Sequence, residues 1–165
     1  MKKKGWIVLG VVLLATAVAA VLLLRRPPLI HEDGVESIVM TVTGQGHKEI
    51  TDPTQQEEVL KLLNAIQSEK APEDKRAGWR MAVYVFYTDG SQDTMWFTYH
   101  SKAYTDENTG ITIPSGEYMS RYLDGNYHVK DGTLEALKTF CDTIDKEYTA
   151  GILPKERMQE EGLID

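Results

Sequence analysis

Cysteine is almost missing from this chain: Cys141 is the one thiol in 165 residues. An internal disulfide is therefore excluded, and so are the zinc motifs that need paired cysteines at fixed spacing. No Gly-rich loop joins a strand to a helix in phosphate-binding form, no Gly-x-Ser-x-Gly elbow occurs, and no two histidines stand four apart on a helix. Acidic side chains are missing from the first 30 positions, although 25 follow in the rest.

That asymmetry divides the chain. Positions 1–30 hold five of the 18 basic residues, which leaves 13 basic against 25 acidic side chains over positions 31–165, a net charge of −12 with histidines neutral. A polyanion of that size repels nucleic acid and anionic lipid surfaces, so nucleic acid is not expected as a partner. It suits cationic peptides, polyamines or divalent ions, or serves simply to solvate the surface.

From Trp6 to Leu24 there is no charged residue and the only polar side chain is Thr16. As a helix these residues would extend about 28 Å at ~1.5 Å per residue, close to the thickness of a bilayer's hydrocarbon core. Ala17-Val18-Ala19 has the small-x-small pattern of a signal cleavage site. The apolar run is longer than the ~7–15 residues of a signal core, however, and cleavage there would leave Ala20 to Leu24 at the new terminus. The expectation is an uncleaved anchor, with membrane lipid contacted through residues 6–24. Lys2, Lys3 and Lys4 outweigh Arg25 and Arg26, which puts the N-terminus in the cytoplasm and the rest outside it. The expected organisation is a cytoplasmic stub (1–5), a transmembrane helix (6–24), a juxtamembrane linker (25–34), a globular extracytoplasmic domain (35–150) and a tail (151–165).

Within the globular part, Ile38, Met40 and Val42 alternate with polar neighbours, predicting a strand over Ser37–Thr43, followed by a turn and a short paired strand over His47–Thr51. Asp52 and Pro53 are helix-start residues, and Val59, Leu60, Leu63 and Ile66 make one apolar face, with an end near Ser68. Glu69 to Gly78 reads as an exposed loop. Trp79–Tyr87 and Thr94–His100 read as a hairpin. A three-residue loop with Gly90 left-handed sets Val83 opposite Met95 and Met81 opposite Phe97, which sorts Trp79, Met81, Val83, Val85, Met95, Phe97 and Tyr99 onto one apolar face. A turn over Asp106–Gly110 leads to a short strand at Ile111–Ile113. Glu117 onward reads as a short helix or irregular segment, then a last strand over Asn126–Lys130. A closing helix is expected over Thr133–Tyr148, with Leu134, Leu137, Cys141 and Ile144 in a stripe. The tail is expected to hold a turn or two after Pro154, docked by Met158. The fold class expected is α+β: an N-terminal transmembrane helix followed by a curved antiparallel sheet with two helices packed on one face.

No residue is assigned a catalytic, cofactor-binding or metal-binding role, and no cofactor is expected. The histidines, His31, His47, His100 and His128, have no ligand partner at helical spacing; His47 and Glu49 share a strand face and read either as a weak chelating pair or as exposed strand residues. Cys141, on an apolar stripe, is expected to be buried and inert. The surface that stands out is the mixed face of the hairpin, where Tyr84, Phe86, Trp96 and His100 combine aromatic area with polar neighbours. It reads as a candidate surface for an envelope protein, peptide or glycan, or as a face covered by the tail or by the segment from Glu117 to Tyr127.

The Lys-rich start, the single apolar span, the Ile50-Thr51-Asp52-Pro53 helix start, the Tyr87-Thr88-Asp89-Gly90 hairpin turn and the closing amphipathic helix together resemble the small uncharacterised membrane-anchored extracytoplasmic domains of Gram-positive bacteria. That resemblance carries no residue roles. The function expected is a membrane-anchored, non-catalytic extracytoplasmic binding or accessory module. The alternatives are an envelope-localised enzyme of unknown reaction, and a partner of another membrane protein acting through the transmembrane helix, where Gly10, Ala15, Ala17 and Ala19 are small.

Overall fold

A computed structural model describes residues 29–72, 78–107, 109–121 and 124–160. The apolar segment 6–24 lies outside them; among the described residues no helix is long and apolar enough to cross a membrane.

The first strands, β1 (Val35–Val42) and β2 (Gly46–Ile50), form an antiparallel hairpin. Helix α1 (Pro53–Asn64) starts where the sequence places it: the Asp52 carboxylate accepts the Gln55 N–H at 3.0 Å and Pro53 occupies the first turn. It carries the chain to β3 (Ser68–Ala71) at the opposite edge. The chain returns to the centre as β4 (Met81–Tyr87) and β5 (Gln92–His100), makes a small separate hairpin of β6 (Tyr104–Thr105) and β7 (Thr112–Ile113), and finishes the sheet with β8 (Gly116–Arg121) and β9 (Gly125–Val129). Helix α2 (Thr133–Thr143) and a short α3 (Lys155–Glu160) follow. The order across the seven-stranded antiparallel sheet is β2-β1-β4-β5-β8-β9-β3.

The α+β class and the hairpin register match expectation. Val83 stands opposite Met95 and Met81 opposite Phe97. Gly90 takes φ +83°, and Tyr87 and Ser91 close a three-residue loop. Met81, Val83, Val85, Met95 and Phe97 of that face are buried under both helices, but Tyr99, expected among them, is 49% exposed because it lies at the end of β5 beyond the helices' cover. Ile38, Met40, Val83, Met95, Phe97 and Met119 from the strands meet Val59, Leu63, Leu137 and Cys141 from α1 and α2. Burying this apolar surface is the main favourable contribution to folding.

Other expectations are corrected. The segment from Glu117 is a strand, β8, not a helix or irregular stretch, and Ser68–Ala71 is an edge strand where a loop was expected. Helix α1 ends at Asn64 instead of near Ser68, because Gln67 and Ser68 are drawn into pairing with Lys130 and Val129. Trp79 precedes β4 and packs on the opposite face, since regular alternation begins only at Met81.

Helix α2 ends at Thr143 instead of Tyr148, and the reason lies outside the helix. The Lys48 ammonium, 6% exposed, donates to the carbonyls of Cys141 and Ile144, both at 3.0 Å, and lies over the Tyr148 ring. At the other end the N-cap residue, Gly132, has no side chain to cap with. Glu117 of β8 does it instead, accepting the N–H groups of Gly132 and Leu134 at 2.9 and 2.8 Å. An acid at the N-terminus and a base at the C-terminus both oppose the helix dipole favourably. Each comes from a different strand of the sheet.

Candidate binding surface

Alternation along the strands puts Tyr84, Phe86, Trp96 and His100 together on the sheet face away from α1 and α2. The structure divides them into two groups. Tyr84 and Phe86 stack at 6.5 Å between ring centroids and are 8% and 5% exposed. Trp96 is half-buried beside them and hydrogen-bonded to Tyr84. Burial pushes the Tyr84 phenol above its usual range, partly offset by that bond. His100 stands apart, near the other end of β5.

Tyr84 and Phe86 are therefore not open to solvent. A strap formed by residues 149–160 lies over them. It begins with a backbone bridge, His47 and Thr149 exchanging N–H···O bonds at 2.8 Å each. The Thr41 hydroxyl then donates to the Ile152 carbonyl, and His47 Nδ1 meets the Gly151 carbonyl at 3.2 Å, donating in the Nδ1–H tautomer. Leu153, 3% exposed, packs with Val39, Ala82, Tyr84 and Phe86, and Met158 of α3 joins that cluster, as the sequence suggested. The Arg157 guanidinium sits 4.6 Å above the Phe86 ring and pairs with Glu36 at 2.9 Å.

The second group is a ladder of rings across three strands. His100 lies 5.3 Å from Tyr118, and Tyr118 lies 5.0 Å from His128. Tyr104 of the small hairpin meets His100 at 5.4 Å. Tyr118 is buried, its hydroxyl donating to the Pro114 carbonyl. Gly116 makes the room: a Cβ there would stand 2.6 Å from His128 Nε2. Between the two groups runs a cross-strand row of half-exposed side chains, Trp96, Ser120 and Asn126. Ser120 and Asn126 are hydrogen-bonded to each other. Beyond His128, a groove of about 720 Å³ opens between the end of α1 and the turn into α2, edged by Glu69, Lys130 and Asp131.

Neither the ladder's Tyr118 and His128 nor the strap's Arg157 featured in the sequence-based candidate surface. His128 and Tyr118 were detectable in principle once Glu117–Arg121 is read as a strand, because the same alternation then brings them beside His100.

His47 is not an exposed strand residue. It is 4% exposed and its ring is engaged by the strap. Among the described residues, no group of three or more His, Cys, Asp or Glu side chains is placed to hold a metal ion. Cys141 is fully buried, as expected; burial raises its thiol pKa, with Tyr148 O–H donating to Sγ at 3.4 Å. The chain matches no protein-family model, no curated protein and no solved structure.

Proposed function

We propose that this protein is a membrane-anchored, non-catalytic binding or accessory module, held by residues 6–24, whose acidic globular part works outside the cytoplasm through the far face of its sheet. The observation that carries the reading is the placement of Tyr84, Phe86, Trp96 and His100 on one face, opposite the core, with half of that face already engaged by a segment of the chain itself. Aromatic area flanked by hydroxyl, amide and imidazole groups suits a peptide, an envelope protein or a glycan, because it combines buried area with directional hydrogen bonds. The apolar segment and its flanking lysines support the placement.

Crosslinking in native membranes tests it. Trp96→Ala is expected to weaken the crosslinked product at least tenfold while hydrogen exchange shows β4 still protected, so that the loss of its packing on Tyr84 and Phe86 is not mistaken for unfolding. A product that survives Trp96→Ala, or survives deletion of residues 31–165, would sink the reading and favour a partner contacted through the span.

A further inference from the structure

The strap shows, in its own chemistry, what the far face accepts. Leu153 fills the apolar hollow over Tyr84 and Phe86, and Arg157, four residues on, lies above the Phe86 ring and reaches Glu36. Leu153 lies just before α3 and Arg157 within it, and both contacts fall on the same pair of rings, so they act as one unit of recognition. The strap is held mostly by side chains. Among the described residues its one backbone pairing with the sheet is the bridge at His47 and Thr149, Thr41 and His47 bond its Ile152 and Gly151 carbonyls through their side chains, and α3, at six residues, is too short to persist without its side-chain contacts. Nor does the closed face satisfy everything it buries. Ser37, opposite Phe86 in register, keeps a buried hydroxyl with no hydrogen-bond partner. Glu36 at the edge of the face, and the net charge of −12 over residues 31–165, favour a cationic side chain at the arginine position.

We propose that residues 149–160 are a built-in competitor for the far face, and that the face binds in their place a peptide segment bearing a branched aliphatic residue followed four positions later by arginine or lysine. This rests on the far face being the binding surface.

The test uses the full-length chain in detergent micelles and a fluorescent synthetic peptide spanning residues 149–160. Leu153→Asp with Arg157→Glu in the chain should release its own strap. That variant should bind the peptide at least tenfold more tightly than the wild-type chain, and a peptide carrying the same two changes should not bind. Hydrogen exchange should show residues 149–160 exchanging faster than β4 in the wild type, and unprotected in the variant with β4 still protected. Should the double variant not fold, Glu36→Arg alone serves: it should reject the wild-type peptide and accept one with glutamate at the arginine position.

Equal peptide binding by wild-type and released chains would overturn the proposal. So would no binding by a released chain whose β4 stays protected. The two readings can fail separately. Capture of the peptide, with native-membrane crosslinks indifferent to Trp96, would leave the competitor standing and remove the assigned function. Crosslinks that need Trp96, with no peptide capture, would do the reverse.

Discussion

Gly116 sits at the point where two imidazoles and a phenol crowd onto the sheet. Its φ of +142° is a backbone conformation that L side chains rarely adopt, and His128 Nε2 occupies the space a Cβ would need. Gly116→Ala is expected to destabilise the domain by about 1–3 kcal/mol, the usual cost of holding a non-glycine residue in such a region. Urea denaturation measures this, and an unchanged midpoint would show that the backbone relaxes. Nothing in the sequence around Gly116 marks it, because Pro114-Ser115-Gly116 reads only as an interruption after the short strand at Ile111–Ile113. Its use emerges only when β8 lies between β5 and β9. By contrast, the common face of Tyr84, Phe86, Trp96 and His100 was legible directly. Strand alternation has a period of two and the hairpin loop has a fixed length, so local chemistry alone sets which side chains agree in direction.

At the level of elements, α2 makes the sharpest case. Both of its ends are finished by residues remote in sequence, Glu117 and Lys48. Glu117→Gln removes the charge and leaves one acceptor for two N–H groups, so a loss of about 1–2 kcal/mol is expected. Lys48→Met keeps the apolar stem but abandons two carbonyls, for a loss of about 2 kcal/mol. The two act at opposite ends, so the double variant should lose the sum within about 0.5 kcal/mol. Urea unfolding of the three variants checks this, and a markedly smaller loss in the double variant would mean the ends are coupled. These same residues explain the misread elements. Glu117 is a charge at a core-facing strand position, so the alternation of β8 was disguised, and Glu69 and Lys70 make β3 look like a solvated loop when it is a polar edge strand. Where an element's pattern obeys burial alone, as in β1, α1 and β4, the sequence announces it. Where a polar side chain has a distant partner, the sequence cannot.

For the whole molecule, alkaline pH is the condition to watch. Burial, with the Asp93 carboxylate beside it, holds the Tyr87 phenol neutral well above its ordinary range, and burial raises Tyr84 and the Cys141 thiol in the same direction. Each folded-state pKa lies above its unfolded value, so the unfolded chain loses these protons first. Their contribution is intact below the unfolded values of about 9 for the thiol and 10 for the phenols, and fades as pH climbs past them. The unfolding free energy should fall between pH 9 and 11, by up to about 1.4 kcal/mol per pH unit for each such group, and Tyr87→Phe should flatten that slope. A profile just as steep in the variant would contradict it. The proposed topology gives a second whole-molecule expectation. Since Cys141 is fully buried, the wild-type chain should resist a membrane-impermeant maleimide, whereas Lys102→Cys, at an exposed position, should label on intact cells. Labelling only after lysis would place the globular part inside.

The grip on α2 also bears on how the chain comes together. A helix that needs one strand from early in the sequence and another from late in it cannot be completed by either half. Chains nicked so that β2 is lost, and full chains in which β8 has not yet paired, should therefore carry an unfinished helix at one end or the other. One short segment thus makes assembly nearly all-or-none.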